Sequence, residues 1–200
     1  MDDLELPPTS LTAQLPDWLQ LELPQLPATL PSAEERVALV NRLADRNWRE
    51  GNGGPFAALV VDHATGELVS VGVNVVLSSG LSGMHAEMVA LGLAQARLES
   101  WDLGAERELE LVVNWRTCAM CYGALIWSGV RHLLLAGSGA ECEELTGFDE
   151  GPMHPEWVGE LEARGIGVRQ GVRRAEAVEV FRQYGASDAV VYNARGDSAR

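Results

Sequence analysis

The sequence contains no lysine, and all 15 of its basic residues are arginines. Without a lysine amine the chain forms no Schiff base with a cofactor or substrate, which excludes the ordinary pyridoxal-phosphate enzymes. The same absence excludes the P-loop nucleotide-binding motif, whose lysine contacts phosphate. Two large classes of enzyme are therefore ruled out before any motif is considered.

Cysteines and long apolar runs are also scarce. The three cysteines, Cys118, Cys121 and Cys142, are an odd and small set, which argues against a disulfide framework. No stretch approaches 18 uninterrupted apolar residues, the length that crosses a bilayer. Acidic residues such as Asp2 stand at the start and no basic residue precedes Arg36, so a secretory signal is not expected. We predict a cytoplasmic protein in a reducing compartment, without a membrane partner.

Positive charge is outweighed, because the 29 acidic residues bring the formal net charge to −14 at pH 7. Such a surface repels phosphate backbones, so long nucleic acids are disfavoured as partners. The chain has 200 residues and is 46% hydrophobic, which is enough for one sizeable core.

Proline separates the beginning of the chain from the rest. Six of the nine prolines fall within residues 1–31, with leucines and Trp18 between them. This density prevents long helices. The apolar residues favour an extended arm that packs on the body or on a partner subunit, and a mobile tail is the alternative. We predict an N-terminal arm over residues 1–31 and one domain over residues 32–200.

From Ser32 onward, helices and strands alternate. Ser32 and Glu35 have the spacing of a capping box and predict the start of a helix. Residues 56–61 and 68–76 are rich in β-formers and predict a hairpin. Further helices are predicted at 84–100, 118–129, near 155–164 and near 174–184, and strands at 109–115, 130–137 and 166–171. This alternation is typical of an α/β sandwich.

Two cysteines and one histidine stand at the starts of predicted helices. Cys118 and Cys121 are three positions apart at one start, and His85 lies at another. Both helices follow a strand or its loop, so their N-termini can open at the same sheet edge, where free amides and the helix dipole favour thiolates. Three protein ligands leave one position of a zinc ion open, as in catalytic sites.

Glu87 follows His85 by two residues. This offset allows the carboxylate to face the same pocket without binding the metal, where it can accept a proton from water and pass it to a leaving group. The alternative is a solvated glutamate that only suits the helix dipole. A lone pair of cysteines is likewise compatible with metal binding, redox chemistry or neither, and only the joint pattern is specific.

The joint pattern of His85-x-Glu87 and Cys118-x-x-Cys121 resembles the zinc-dependent cytidine deaminase-like superfamily, which has H-x-E and P-C-x-x-C motifs. The similarity is greatest to the bacterial guanine deaminases and extends from about Gly51 to the tail "VYNAR". It is carried by "NGGPFAALVV", "GVNVV", "HAEMVALGLAQA", "CAMCYGALIWSGV" and "TGFDEGP". The resemblance implies a three-layer α/β/α sandwich with a mixed central sheet, and hydrolysis of guanine to xanthine and ammonia.

The same resemblance implies roles for individual residues. His85, Cys118 and Cys121 are the expected ligands of Zn²⁺, and Glu87 is the expected proton carrier. In the substrate pocket, the resemblance implies an amide that reads the base edge, an aromatic lid that stacks on the base and a lid acid that moves protons. These are Asn74, Phe148 and Glu150, with Asp149 as the second choice for the acid. A turn asparagine and an acidic loop over a core phenylalanine are the alternatives.

Two more aromatic residues and a partner belong to the same expectation. Phe56 is predicted to wall the pocket or to pack in the core, and Tyr192 with Asn193 to reach the site from the C-terminal tail. The resemblance also implies a homodimer that exchanges its C-terminal segment, and a small-molecule nucleobase as substrate.

One departure from the family pattern concerns Arg116 and Thr117, which stand where the family usually has Glu-Pro. Thr117 is expected to act as an N-cap that preserves the helix start. The arginine changes the expected pocket edge, so a pterin, a triazine, a cytosine-like base or a nucleoside remain alternative substrates. A non-catalytic zinc-fold binding module and a tRNA-editing deaminase are alternatives from other classes. The charge of −14 argues against the latter.

Overall fold

The computed structural model describes residues 8–194 of the chain. Its five strands are β1 (Ala57–Asp62), β2 (Leu68–Val73), β3 (Leu109–Val113), β4 (His132–Leu135) and β5 (Gly167–Gln170). The helices in these residues are α1 (Asp17–Glu22), α2 (Ala33–Arg49), α3 (Val76–Ser79), α4 (Ala86–Leu98), α5 (Ala119–Ser128), α6 (Glu141–Thr146), α7 (Trp157–Glu162) and α8 (Arg174–Gly185). Within residues 8–194, no helix is long and apolar enough to cross a membrane.

The strands form one mixed sheet in the order β2-β1-β3-β4-β5. Strand β1 is antiparallel to both β2 and β3, whereas β3, β4 and β5 run parallel. Side chains of β1 alternate between two cores: Leu59 packs with α2 and α8, and Val60 packs with α4 and α5. Because both faces of the sheet are covered by helices, the predicted three-layer α/β/α sandwich is confirmed.

The capping box at the start of α2 forms as its spacing predicts. The Glu35 amide donates to Ser32 Oγ over 3.2 Å, and the Ser32 amide donates to Glu35 Oε2 over 2.9 Å. Two N–H groups that the helix cannot satisfy internally are thereby paired.

The arm differs from the predicted extended segment. It contains α1 and a 3₁₀ turn at Leu23–Gln25, and Leu19 of α1 is fully buried in the core on the α2 side. Pro16 and Pro24 stand at the starts of these two elements, where a missing N–H costs nothing, so prolines did not prevent short helices. Residues 1–7 of the predicted arm and residues 195–200, including the end of the tail "VYNAR", lie outside the described residues, and the boundary between residues 31 and 32 stays a prediction.

Gly72 of β2 allows α4 to lie directly on the sheet. A Cβ at this position would lie 2.2 Å from the Ala86 carbonyl oxygen and 2.5 Å from the Ala90 amide nitrogen. Both distances are far below van der Waals contact, so a side chain is excluded. The start of α4 is therefore fixed against the end of β2.

Asn114 fixes the loop that follows β3. Its Oδ1 accepts from the Ala57 amide over 3.0 Å, and its Nδ2 donates to the Pro55 carbonyl oxygen over 2.9 Å. These bonds join the end of β3 to the start of its antiparallel neighbour β1. The loop that leads into α5 therefore opens at the same edge of the sheet as the end of β2 and the start of α4.

Candidate metal centre and adjoining cavity

Three potential metal ligands converge at this edge. His85 is the N-cap of α4, Cys118 is the N-cap of α5, and Cys121 lies in the first turn of α5. One ligand atom from each lies within 4.8 Å of the other two. Cys118 Sγ is 3.5 Å from His85 Nδ1, and all three cysteines of the chain are free thiols. One imidazole and two thiols are a donor set that zinc prefers, and their spacing fits one ion.

The three groups alter one another's pKa values. Hydrogen bonding from the Cys121 side chain, assisted by His85, lowers the pKa of the Cys118 thiol to about 4 although burial opposes this. The same contact with Cys118, together with burial, raises the pKa of Cys121. Burial acts to lower the pKa of His85, but the bond to Cys118 and the negative charges of Glu87, Cys118 and Glu150 together leave that pKa raised. The site therefore carries a thiolate at neutral pH, the form that binds metal.

Glu87 lies in the first turn of α4, behind the ligands, and only 5% of its surface is exposed. Burial, and next the negative charge of Cys118, raise the pKa of its carboxyl group. The alternative of a solvated glutamate at a helix start is therefore wrong. A buried carboxyl group with a raised pKa beside a metal site is suited to carry protons.

A cavity of about 740 Å³ opens in front of the ligands. His85 and Cys118 form part of its wall. The residues predicted for the substrate side all line it: Phe56, Asn74, Phe148, Asp149, Glu150 and Tyr192. Three further residues line the cavity and were not predicted: Leu77, Ser82 and Met120. Leu77 and Ser82 lie in or just after the short helix α3. Met120 lies on a face of α5 that periodicity alone assigns to solvent.

Asn74 is buried directly after β2. Its Oδ1 accepts from the Val76 amide over 3.2 Å, the bond of a turn asparagine, so this alternative describes part of its role. The Asn47 side chain donates to the Asn74 carbonyl oxygen over 2.8 Å. A Cβ on Gly53 would lie 2.2 Å from Asn74 Oδ1, so a glycine is needed there. The amide is thus held in one orientation at the cavity wall.

The lid lies between two glycines in the left-handed region, Gly147 at φ 78° and Gly151 at φ 70°. Phe148 is both a wall of the cavity and a packed residue, since its ring centroid is 5.5 Å from that of Phe56 and 4.9 Å from that of Tyr192. The Ala119 amide at the start of α5 donates to the Glu150 carbonyl oxygen over 3.0 Å. The lid is therefore fastened to the helix that carries both cysteines.

The two lid acids have different surroundings. Burial raises the pKa of Glu150 to about 8, and the charges of Cys118 and Glu87 add to this effect. Asp149 is exposed, and its Oδ1 accepts from the Gly151 amide over 2.9 Å. Glu150 therefore has the environment of a proton carrier, whereas Asp149 holds the turn.

The C-terminal tail closes over the lid of its own chain. Tyr192 Oη accepts from the Gly54 amide over 2.9 Å. Asn193 accepts from the Asp149 amide over 3.0 Å and donates to the Gly147 carbonyl oxygen over 2.8 Å.

Arg116 and Thr117 do not have the expected positions. The N-cap of α5 is Cys118, whose Sγ accepts from the Cys121 amide over 3.5 Å, so the prediction of Thr117 as N-cap is wrong. The Cys118 sulfur atom accepts from a free amide at the helix start, as a threonine hydroxyl would. Cysteine is not among the residues that N-cap preferences favour, so the sequence did not indicate it. Neither Arg116 nor Thr117 is among the described residues that line the cavity.

Residues 31–136 match the family model described as the cytidine and deoxycytidylate deaminase zinc-binding region. Among solved structures, guanine deaminase from Nitrosomonas europaea is 41% identical, with a TM-score of 0.83 over 89% of this chain and 97% of that chain. NE0047 in complex with 2,6-diaminopurine is 42% identical, with a TM-score of 0.84 over 94% of this chain and 98% of that chain. Guanine deaminase from Bacillus subtilis, at 24% identity and a TM-score of 0.55, shares the fold.

Two curated proteins are more distant. A probable cytosine deaminase from Schizosaccharomyces pombe is 32% identical over 101 residues, which are 49% of this chain and 56% of that protein. A tRNA(Ile)-lysidine synthase from Deinococcus radiodurans is 29% identical over 149 residues, which are 74% of this chain and 23% of that protein. The chain thus spans about half and about a quarter of the length of these two relatives.

Proposed function

The chain belongs to the family of the cytidine and deoxycytidylate deaminase zinc-binding region, and we propose that it is a cytoplasmic zinc-dependent hydrolase of purine metabolism that deaminates guanine to xanthine and ammonia. The observation that carries the reaction type is the convergence of His85, Cys118 and Cys121 in front of the buried Glu87. The substrate is supported by the 41% identity to a guanine deaminase across 97% of that chain.

We assign His85, Cys118 and Cys121 as the ligands of the zinc ion, which their donor atoms and spacing fit. When bound, zinc is a Lewis acid that makes water a nucleophile near neutral pH. Three ligands from the chain would leave one position of such an ion free for water.

Glu87 is the proposed carrier of the proton. The substrate carbon gains a bond to the oxygen of water and loses its bond to the amine nitrogen. The proton that water gives up passes through the Glu87 carboxyl group to the amine, which leaves as ammonia. Because Glu87 is buried, its carboxyl group is kept away from bulk solvent and the proton stays within the site.

Asn74, Phe148 and Glu150 are the proposed contacts to the base. The Asn74 amide offers a donor and an acceptor to a heterocycle edge. The Phe148 ring offers a stacking surface, and Glu150 offers an acid whose pKa of about 8 lets it hold a proton at neutral pH. Phe56 and Tyr192 support the Phe148 ring from two sides.

The cavity favours a substrate without phosphate. No arginine is among the described residues that line it, whereas the exposed acid Asp149 is one of them. A phosphate group would be repelled rather than bound there. We therefore propose a free base rather than a nucleotide.

A cytosine-like base is the second candidate substrate, because the chain is 32% identical to a probable cytosine deaminase over 101 residues. The argument for a pterin or a triazine is weakened, since Arg116 and Thr117 do not line the cavity. A binding module without catalysis has no use for Glu87, which this chain keeps and buries at the metal site.

A substrate panel distinguishes these candidates. Ammonia release from guanine, 2,6-diaminopurine, cytosine and guanosine is measured on protein whose zinc content is determined on the same sample. Guanine is expected to have the highest kcat/KM. Faster turnover of cytosine would replace the purine proposal, and no ammonia from any of the four with zinc fully loaded would refute the enzyme proposal.

We also propose that the protein is a homodimer. Trp101 and Trp127 are 80% and 82% exposed, and Met120 is exposed on the same helix as Trp127. Gly123 lies about one helical turn from both Met120 and Trp127. A Cβ at Gly123 would have no atom within 4 Å, so another helix can approach this face closely. The loop that follows Trp101 is bonded to the end of α5, because the Leu103 amide donates to the Ser128 carbonyl oxygen over 2.9 Å, and exposed large apolar side chains indicate a protein interface. Exchange of the C-terminal segment would place the contacts of Tyr192 and Asn193 on the partner's lid.

A further inference from the structure

Arg116 lies two residues before Cys118 and is turned away from the cavity lining towards α6. Its side chain is only 17% exposed, and its Nη2 is 4.0 Å from Glu143 Oε2 on α6. Its Nε is buried and has no hydrogen-bond partner among the described residues. At 4.0 Å, the contact between Arg116 and Glu143 is an ion pair without a hydrogen bond.

Helix α6 leads directly into the lid. Thr146, the last residue of α6, donates from Oγ1 to the Cys142 carbonyl oxygen and accepts from the Phe148 amide over 3.2 Å. Gly147 then turns the backbone with φ 78°. Any displacement of α6 is therefore passed through Thr146 to Phe148, which forms the cavity wall.

The corner between α6 and the metal centre is crowded with negative charge. Helix α6 carries Glu141, Glu143 and Glu144 in its first turn and has no basic residue. Glu141 is paired with Arg174 of α8. Arg116 supplies the opposite charge beside Glu143, so it attracts the acidic helix α6 to the start of α5.

We propose that Arg116 is a positioning residue that holds α6, and with it the lid residues Phe148 and Glu150, against the start of α5. This inference rests on the proposed function only in its effect on substrate. The positive charge of Arg116 attracts the acidic helix α6. The glutamate that the family usually has at position 116 would repel this helix. The pair of Arg116 and Glu143 thus belongs to the lid of this chain, and the departure at Arg116 acts on substrate binding without contact to the substrate.

The test combines kinetics with hydrogen exchange in Arg116→Met, Arg116→Lys, Glu143→Gln and the double variant Arg116→Met/Glu143→Gln. Arg116→Met and Glu143→Gln are each expected to raise KM for guanine by about fivefold, with a smaller change in kcat. Because the two residues act as a pair, the double variant should lose no more than either single variant. Arg116→Lys keeps the charge and should stay within about twofold of the wild type in KM.

Hydrogen exchange of peptides within residues 141–151 is measured on the zinc-loaded proteins without substrate. Exchange should be faster in Arg116→Met and unchanged in Arg164→Met, a control that removes the arginine paired with Glu160 on α7. Unchanged exchange in Arg116→Met, or losses that multiply in the double variant, would overturn the proposal. The exchange result needs no turnover, so it decides the role of Arg116 even if the wild-type protein does not deaminate guanine.

Discussion

The Tyr192 hydroxyl accepts a hydrogen bond from the Gly54 amide over 2.9 Å, although the two residues are 138 positions apart in the chain. A Cβ on Gly54 would lie 2.8 Å from the same hydroxyl oxygen, so the glycine is what admits the tyrosine. The bond connects the C-terminal tail to the loop before β1. Because Asn193 of the same tail is bonded to the lid, the tail connects the lid to the loop before β1.

Loss of this bond should weaken the closed lid. In Tyr192→Phe the partly buried Gly54 amide loses its acceptor, which costs about 1 kcal/mol in the free energy of unfolding. Substrate affinity should fall as well, with KM for guanine raised by about fivefold or less. Tyr122→Phe is the matched control, because the Tyr122 hydroxyl donates to the Trp157 carbonyl oxygen over 3.2 Å on another part of the molecule. An equal rise of KM in both variants would contradict a specific role for the tail.

Glu87→Gln should abolish ammonia release without loss of zinc. A glutamine has the same shape but cannot carry a proton, and general acid–base catalysis contributes about 10²–10⁴-fold to a rate. The measurement is kcat with guanine together with zinc per chain. Glu160→Gln, which changes a glutamate on α7 whose side chain is 45% exposed, is the control and should retain full activity. Activity of Glu87→Gln within tenfold of the wild type would remove Glu87 from the mechanism.

Zinc content should depend on two of the three cysteines. We expect about one zinc ion per chain in the wild type, and loss of that ion together with activity in Cys118→Ser and Cys121→Ser. Cys142→Ala should keep its zinc, because Cys142 lies outside the group of converging ligand atoms. Chelation should abolish activity and added zinc should restore it. Metal analysis that finds zinc retained in both serine variants would refute the ligand assignment.

In the metal-free protein, the Glu150 carboxyl group should contribute stability that is lost as the pH rises from about 4.5 to about 8. Burial raises the pKa of Glu150 from its ordinary value of 4.5 to about 8, so the folded state binds this proton more tightly than the unfolded state. The contribution is complete below the unfolded pKa and is lost as pH rises through the folded pKa, on the order of 1.4 kcal/mol per pKa unit. Glu150→Gln should remove this contribution, whereas the contribution of the Cys118 thiol, whose lowered pKa acts in the opposite direction, remains.

Urea denaturation of the metal-free wild type, Glu150→Gln and Glu144→Gln at pH 5 and pH 8 checks the prediction. Glu144 is exposed on α6 and serves as the control, which should behave as the wild type. Equal slopes of stability against pH in the wild type and Glu150→Gln would show that the Glu150 carboxyl group is not held protonated by burial.

Dimer formation should depend on the exposed indoles. Trp127→Glu places a charge in the proposed interface and should shift the protein to monomers in sedimentation velocity experiments. Leu21→Glu is the control, because Leu21 is 75% exposed on α1 and lies outside the proposed interface. A monomeric wild type, or a dimer that persists in Trp127→Glu, would contradict this surface.

The sequence predicted the parts of this molecule that follow from local patterns. The capping box at Ser32 and Glu35 forms, and the predicted mixed α/β/α sandwich and family are both confirmed. The motif at His85 and Cys118 predicted a convergence that the geometry supplies. These features depend on spacing within one helix or on a joint motif, and both are visible in a single chain.

Other features depend on contacts that no local pattern contains. Helix α6 has six residues and α3 has four, too few for a period to be recognised. The arm was expected to be extended, but burial of Leu19 stabilises a short helix, and the proline content had argued only against long helices. The partner of Arg116 depends on how α6 packs, so only the folded chain shows its pair with Glu143.

Gly72 has a consequence for efforts to make the protein more robust. Replacing glycine with alanine in a strand is a common way to gain stability, because it reduces the freedom of the unfolded chain. Here the added methyl group would collide with the backbone of α4 at Ala86, the residue next to His85. The helix would have to retreat and carry the imidazole away from the sulfur atoms. Gly72 should therefore be kept in stabilised variants. It is not a ligand, but the position of the His85 ligand depends on its lack of a side chain.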